Sequence, residues 1–331
     1  MQLRTPYLMF LGDAQDPLAA KTAAGIAYWR PDWCVGQLRL PRCEVDLGLP
    51  DMTLEEAVTE GAKTLVIGVA NRGGTIPEDW LPTLAEALGR GMDLANGLHK
   101  RLADFPALRA LAHSRGRQIA DLRHPDRDFP VADGKPRSGK RLLTVGTDCS
   151  IGKMYTALAI ERELKRRGQK ADFRATGQTG ILISGAGISV DAVVSDFVAG
   201  SVEALCPAAD ADHWDIIEGQ GSLFHPSYAG VSLGLLHGAQ PNALVMCHEP
   251  TRKHLRGLPH YRLPPLQDCI DATLEAARLT SPEAAFVGVS INTSALDASA
   301  ADSILKQTED ATGLTAIDPL RTGVARLVDH L

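Results

Sequence analysis

The octapeptide Gly146-Thr147-Asp148-Cys149-Ser150-Ile151-Gly152-Lys153 restricts the fold more than any other stretch of the chain. Read against the phosphate-loop pattern GxxxxGK[ST], Gly146 and Gly152 supply the glycines and Lys153 the lysine. Glycines allow tight turning and close approach of backbone N–H groups to a phosphate. The lysine adds a point charge. The flanks fit: Arg141–Val145 reads as a buried strand, and Met154–Arg167 as a helix with apolar residues at 158, 160 and 164. A strand, an anion-binding turn and a helix in series imply a parallel sheet covered by helices.

The rest of the chain repeats that alternation. Strand-like runs occur at Tyr7–Leu11, Thr64–Val69, Leu142–Val145, Ala171–Arg174, Asp215–Ile217, Ala243–Cys247 and Ala285–Ile291. Helical patterns occupy Leu54–Glu60, Leu81–Leu88, Leu98–Ala112, Tyr155–Arg167 and Leu266–Arg278. With 331 residues the chain exceeds one ordinary core. The Pro-, Gly- and charge-rich stretch Arg123–Lys140 marks a linker. The expected fold is α/β with mostly parallel sheets in two domains: residues 1–125, a linker at 126–140, and 141–331. The first domain lacks GxGxxG, so a Rossmann-like shape without a bound dinucleotide is expected there.

A net charge of −6 gives no reason to expect nucleic acid or an anionic membrane as partner. No apolar run reaches the roughly 18 residues of a spanning helix. Met1–Pro6 lacks a signal peptide's apolar region, so a cytoplasmic protein is expected. The six cysteines form no CxxC pair or zinc-like spacing and are expected as free thiols. Cys149 stands in the loop as a minor candidate nucleophile.

Position 154 departs from the motif. Met154 stands where a hydroxyl normally ligates Mg²⁺, and a thioether suits a hard cation poorly. Thr147, Ser150 and Thr156 are the alternative hydroxyls. The simplest expectation is a phosphate-bearing ligand held without obligatory metal by residues 146–153 with Met154 and Tyr155. That favours a nucleotide-containing group carrier such as coenzyme A over ATP hydrolysis.

Other candidates lie at strand ends, where open α/β sheets bind ligands. Glu218, in Glu218-Gly219-Gln220-Gly221-Ser222, is the first candidate base. Asp196 and His225 stand behind it, with Tyr228 nearby. Thr176, Gln178 and Thr179, with Gln220 and Ser222, are candidate substrate contacts. Arg252 offers a bidentate partner for a carboxylate, and Asn71 and Arg72, beside Gly73-Gly74, suit a small anion. Asp191 is a candidate acid or helix cap, and Asn292-Thr293 a candidate base contact.

Two resemblances follow. The loop and Glu218-Gly219-Gln220-Gly221 resemble dethiobiotin synthetase and related amidoligases, over parts of the second domain. Nearly the whole chain resembles the D-glutamate N-acetyltransferase family. The likeness runs through Phe10-Leu11-Gly12-Asp13, Ala20-Lys21-Thr22-Ala23, Asn71-Arg72-Gly73-Gly74, Gly91-Met92-Asp93, Gly97-Leu98-His99, Ala175-Thr176-Gly177-Gln178-Thr179-Gly180 and Glu218–Ser222. This resemblance implies a Rossmann-like domain joined to a phosphate-loop domain. It implies acetyl transfer from acetyl-CoA to the amine of D-glutamate in D-glutamate catabolism, and a homo-oligomer. The turns at Gly177–Gly180 and Gly219–Ser222 would offer N–H groups to the oxyanion. Two alternatives stand: a Mg-ATP-dependent ligase or kinase, and a non-catalytic nucleotide-binding regulator.

Overall fold

The computed structural model describes residues 3–17, 19–69, 74–124 and 127–331. The chain divides into two compact units, Met1–Arg127 with Gly177–Ala192, and Asp128–Thr176 with Val193–Leu331. The first unit therefore takes in a segment from within the second half of the sequence.

In the first unit β1 (Tyr7–Gly12) is followed by α1 (Lys21–Trp29), β2 (Cys34–Arg39), α2 (Leu54–Thr59) and β3 (Thr64–Ile67). Then come α3 (Leu81–Gly89), β4 (Asp93–Asn96), α4 (Pro106–Arg115) and β5 (Ile119–Asp121). The five strands are parallel in the order β2-β1-β3-β4-β5. All six residues of β1 are buried, as in a strand covered on both faces. The sheet reverses strand order beside β1, so its switch point lies between the carboxyl ends of β1 and β3.

The helix expected over Leu98–Ala112 is corrected: a 3₁₀ turn covers Leu102–Asp104, and α4 starts at Pro106. Proline has no N–H to donate and fits the first helical position. It also favours an extended Phe105, at φ −89° and ψ 106°. Buried Asp121 then accepts from the N–H groups of Leu102 and Ala103, at 2.8 and 3.0 Å. Gly116 ends α4 at φ +59°.

The second unit opens with β6 (Lys140–Gly146), α5 (Lys153–Arg166) and β7 (Ala171–Arg174). The chain enters the first unit with α6 (Gln178–Ser184), and returns for α7 (Val198–Leu205), β8 (Trp214–Ile217), α8 (Ala229–Ala239) and β9 (Ala243–His248). A hairpin of β10 (His254–Leu255) and β11 (Leu258–Arg262) precedes α9 (Leu266–Arg278), β12 (Ala285–Ile291), α10 (Ala298–Thr312), β13 (Ala316–Ile317) and α11 (Ala325–Val328). The main sheet is parallel in the order β13-β12-β9-β6-β8-β7. From β6 the chain fills one side of the sheet and then the other, which puts the switch point at the carboxyl end of β6.

The stretch before β6 is pinned to this unit. The Glu203 carboxylate accepts the N–H groups of Asp133 and Gly134, both at 3.0 Å. Arg137 donates to the Cys206 carbonyl at 2.7 Å and the Gly238 carbonyl at 2.5 Å, at the last turns of α7 and α8. A guanidinium there satisfies carbonyls that have no intrahelical partner. Among the described residues, no helix is long and apolar enough to cross a membrane.

Candidate phosphate-binding site

The carboxyl edge of the second unit's sheet gathers three segments: the loop after β6, the turn after β8 and the segment after β9. The loop carries one residue more than the pattern GxxxxGK[ST], because five residues separate Gly146 from Gly152. It turns through two left-handed residues, Ser150 at φ +53° and Gly152 at φ +108°. Gly152 leads straight into α5, so the loop's backbone meets the positive end of that helix.

Lys153 is buried, and its stem runs between two glycines. A Cβ on Gly146 would lie 3.3 Å from its Nζ, and one on Gly219 3.0 Å from its Cδ. Gly219 has no room at all, since its Cβ would stand 1.7 Å from the Thr144 carbonyl oxygen. Nζ donates to the Asp148 carbonyl at 2.8 Å. Burial pushes the Lys153 amine below its ordinary range, opposed by nearby thiols and by the Asp148 and Glu218 carboxylates.

Asp148 is fully buried and its side chain acts as a hub. Oδ1 accepts the Cys149 N–H at 2.7 Å, and Oδ2 accepts Arg252 Nη1 and the Arg256 N–H, each at 2.8 Å. Arg252 also donates to the Cys149 carbonyl at 2.7 Å and pairs with Glu249. Its guanidinium is thus committed to bracing the loop rather than presented to a ligand carboxylate. Thr147 shares a 3.0 Å hydrogen bond with His248, and Ser222 Oγ donates to the Thr147 carbonyl at 3.1 Å. Ile151 is buried beneath the loop, while Met154 and Tyr155 are half-buried at the start of α5.

Glu218 is buried at the end of β8. Its Oε2 accepts the Thr176 N–H at 3.0 Å, and its carbonyl accepts the Thr176 hydroxyl at 2.6 Å. Gln220 Nε2 reaches the same hydroxyl at 3.3 Å. Glu218, Thr176, Gln220, Ser222 and the loop therefore share one sheet edge. Among the described residues Asp196 does not join them through any hydrogen bond; it is exposed on the 3₁₀ turn Ser195–Phe197.

Several sequence expectations change in detail. His225 is buried, and Nδ1 accepts the Ser227 N–H at 3.2 Å, which leaves Nε2 to donate to the Arg256 carbonyl at 3.0 Å. With that ring nitrogen lone pair engaged, the imidazole positions a backbone instead of receiving a substrate proton. Asp148, Cys149 and His225 lie within metal-ligating distance of one another, yet hydrogen bonds occupy both Asp148 oxygens and both His225 nitrogens. Burial pushes the Cys149 thiol up, away from thiolate chemistry. Thr156 bonds its own helix and Ser290, at 3.1 and 2.7 Å, so it is no substitute for the hydroxyl missing at Met154. The Gly219 N–H already donates to Thr144 Oγ1 at 3.1 Å, which removes it from an oxyanion role. Asn292 and Thr293 are committed to local contacts, with the Ser294 N–H and with Asp318.

The first unit has its own cluster. Thr179, on α6, lies 3.4 Å from Thr22 at the start of α1, hydroxyl to hydroxyl. Gln178 packs against Gly97, after β4. Asp191 caps no helix; it pairs with Arg123 at 2.6 Å. Asn71 and Arg72 lie outside the described residues.

Sequence reasoning missed Arg256 and its hairpin altogether. The available signal was the dense basic run from Arg252 to Arg262, whose two strands are too short for a periodic pattern.

Fold and site define a two-unit α/β protein with a phosphate loop at the switch point of its second sheet. The chain belongs to the DUF1611 family, domains of unknown function: its Rossmann-like N-terminal domain model matches residues 41–125 and its P-loop domain model residues 130–328. The chain is 57 % identical to a D-glutamate N-acetyltransferase from Tritonibacter scottomollicae, over 99 % of each chain. It is 48 % identical to one from a Pseudoalteromonas species, over the full length of both. A crystal structure of a DUF1611 family protein from Anabaena variabilis superposes with a TM-score of 0.89, at 34 % identity and 99 % coverage of each chain.

Proposed function

We propose that the protein transfers the acetyl group of acetyl-CoA to the amine of D-glutamate, as a cytoplasmic step in D-glutamate catabolism. The observation that carries this reading is the end-to-end identity with two D-glutamate N-acetyltransferases, at 57 % and 48 %. The phosphate loop supports it chemically. Coenzyme A brings a diphosphate, which suits the backbone N–H groups, the Lys153 charge and the amino end of α5. Met154 at the usual metal position favours a donor whose reaction needs no metal.

The substrate ammonium must lose a proton before its nitrogen can attack the thioester carbonyl. We assign that proton to Glu218, a carboxylate at the sheet edge beside Lys153. The tetrahedral intermediate then collapses with cleavage of the carbon–sulfur bond. The sulfur leaves as coenzyme A thiol, and each turnover releases one net proton. Thr176 and Gln220 hold the carboxylate and its strand end in place. Ser222, at the same sheet edge, is a candidate contact for D-glutamate.

The test uses purified protein with EDTA, acetyl-CoA, and either D- or L-glutamate, following free thiol. Thiol release with D-glutamate alone is expected. No release, together with ADP formation from ATP and Mg²⁺, would replace this reading with a ligase or kinase.

A further inference from the structure

The hairpin of β10 and β11 is fastened to the phosphate loop by its tip. Arg256 and Gly257 form that tip, with Gly257 left-handed at φ +77°. The Arg256 N–H donates to buried Asp148 Oδ2, and the Arg256 carbonyl accepts from buried His225, at 2.8 and 3.0 Å. Arg252, at the hairpin base, grips the same Asp148 oxygen. The backbone of Arg256 is therefore held on both sides by fully or almost fully buried side chains. Its own side chain is exposed and makes no hydrogen bond or ion pair among the described residues. Its charge still acts on the Cys149 thiol, inside the loop.

Two buried polar side chains thus fix the backbone that carries this guanidinium, and its charge is left without a protein partner among the described residues, able to meet an anion at the loop. The loop has a matching need. A diphosphate carries two negative charges, Lys153 supplies one positive charge, and Met154 provides no metal ligand. We propose that Arg256 is a second contact to the diphosphate of the acyl donor and supplies the charge neutralisation that a metal ion gives in hydroxyl-bearing loops. This rests on the reading that coenzyme A occupies the loop.

The test is titration calorimetry of the full chain in EDTA, with coenzyme A and with dephospho-coenzyme A, which keeps the diphosphate but lacks the 3′-phosphate. Arg256→Gln is expected to weaken both ligands equally, by roughly tenfold or more, the scale of one charge-assisted hydrogen bond. Arg256→Lys should recover part of the loss. Lys153→Ala serves as the control for loop occupancy. A loss confined to coenzyme A would place Arg256 on the 3′-phosphate and overturn the proposal. So would unchanged affinity in Arg256→Gln while Lys153→Ala binds weakly, with the loop reading intact. Unchanged affinity in both variants would remove coenzyme A from the loop as well.

Discussion

Lys153 is a charge held in a slot cut by two glycines, and its environment makes a pH-dependent prediction. Burial disfavours the ammonium, so the folded amine loses its proton at lower pH than a solvated lysine. A bound phosphate favours the ammonium and depends on it. Coenzyme A affinity is therefore expected to fall as pH rises, and to begin falling at a lower pH than a solvated lysine would allow. Lys153→Ala should bind roughly 10–100-fold more weakly at neutral pH, on the scale of a charged hydrogen bond. It should also lose that alkaline dependence, and calorimetry at a series of pH values checks both. Glu218 calls for a different readout. Glu218→Gln keeps an acceptor for the Thr176 N–H but removes the base, so kcat should fall by about 10²–10⁴-fold while coenzyme A affinity stays.

At the scale of elements, α7 and α8 pack through small residues. A Cβ on Gly238 would meet the Ala199 carbonyl oxygen at 2.3 Å, and one on Gly234 would meet the Val198 side chain at 2.8 Å. Backbone cannot yield as a side-chain tip can, so Gly238→Ala forces the helices apart. A loss of about 1–3 kcal/mol is expected, seen as a lower denaturant midpoint. Coenzyme A affinity of the folded fraction should not change, because Gly238 lies in the last turn of α8, held by Arg137 ahead of β6, at the end of the sheet opposite the loop. The short elements behave differently. The strands β5, β10 and β13 have three, two and two residues, so they hold position through neighbours rather than through their own pattern.

For the molecule as a whole, the carboxylate network at the end of α5 makes a small, pH-dependent contribution to stability. Hydrogen bonds from Arg166 and Arg167 hold the Glu163 carboxyl at about 2, and Arg167 extends the tie to Asp329. A carboxyl depressed by folding contributes stability above its unfolded pKa, near 4.5, and loses it as pH falls toward 2. Glu163→Gln should thus lower the chemical midpoint at pH 6–7, and the difference from the parent should shrink as pH falls toward 2. The effect is expected to be small, because Arg166 is largely exposed and water screens its pull. A difference that persists unchanged at pH 2 would refute the assignment.

Much of this architecture was legible without coordinates. The apolar runs of β1, β3, β6, β8 and β9 announced themselves because strands buried on both faces read as continuous hydrophobic segments. The loop from Gly146 to Lys153 was legible because a phosphate cradle needs glycines and a lysine between a strand and a helix, although it runs one residue longer than the usual spacing, and Met154 was legible as a departure from the motif. Sequence order could not show that Gly177–Ala192 folds with the first unit, because that assignment depends on contacts far apart along the chain. Nor could it show that Asp148 turns its carboxylate toward Arg252 and the Arg256 N–H, or that His225 spends both nitrogens on backbone. Residue type states what a side chain is able to donate or accept. Only the tertiary structure decides which partner takes that capacity, since a buried polar group must be satisfied by whatever the fold brings within reach.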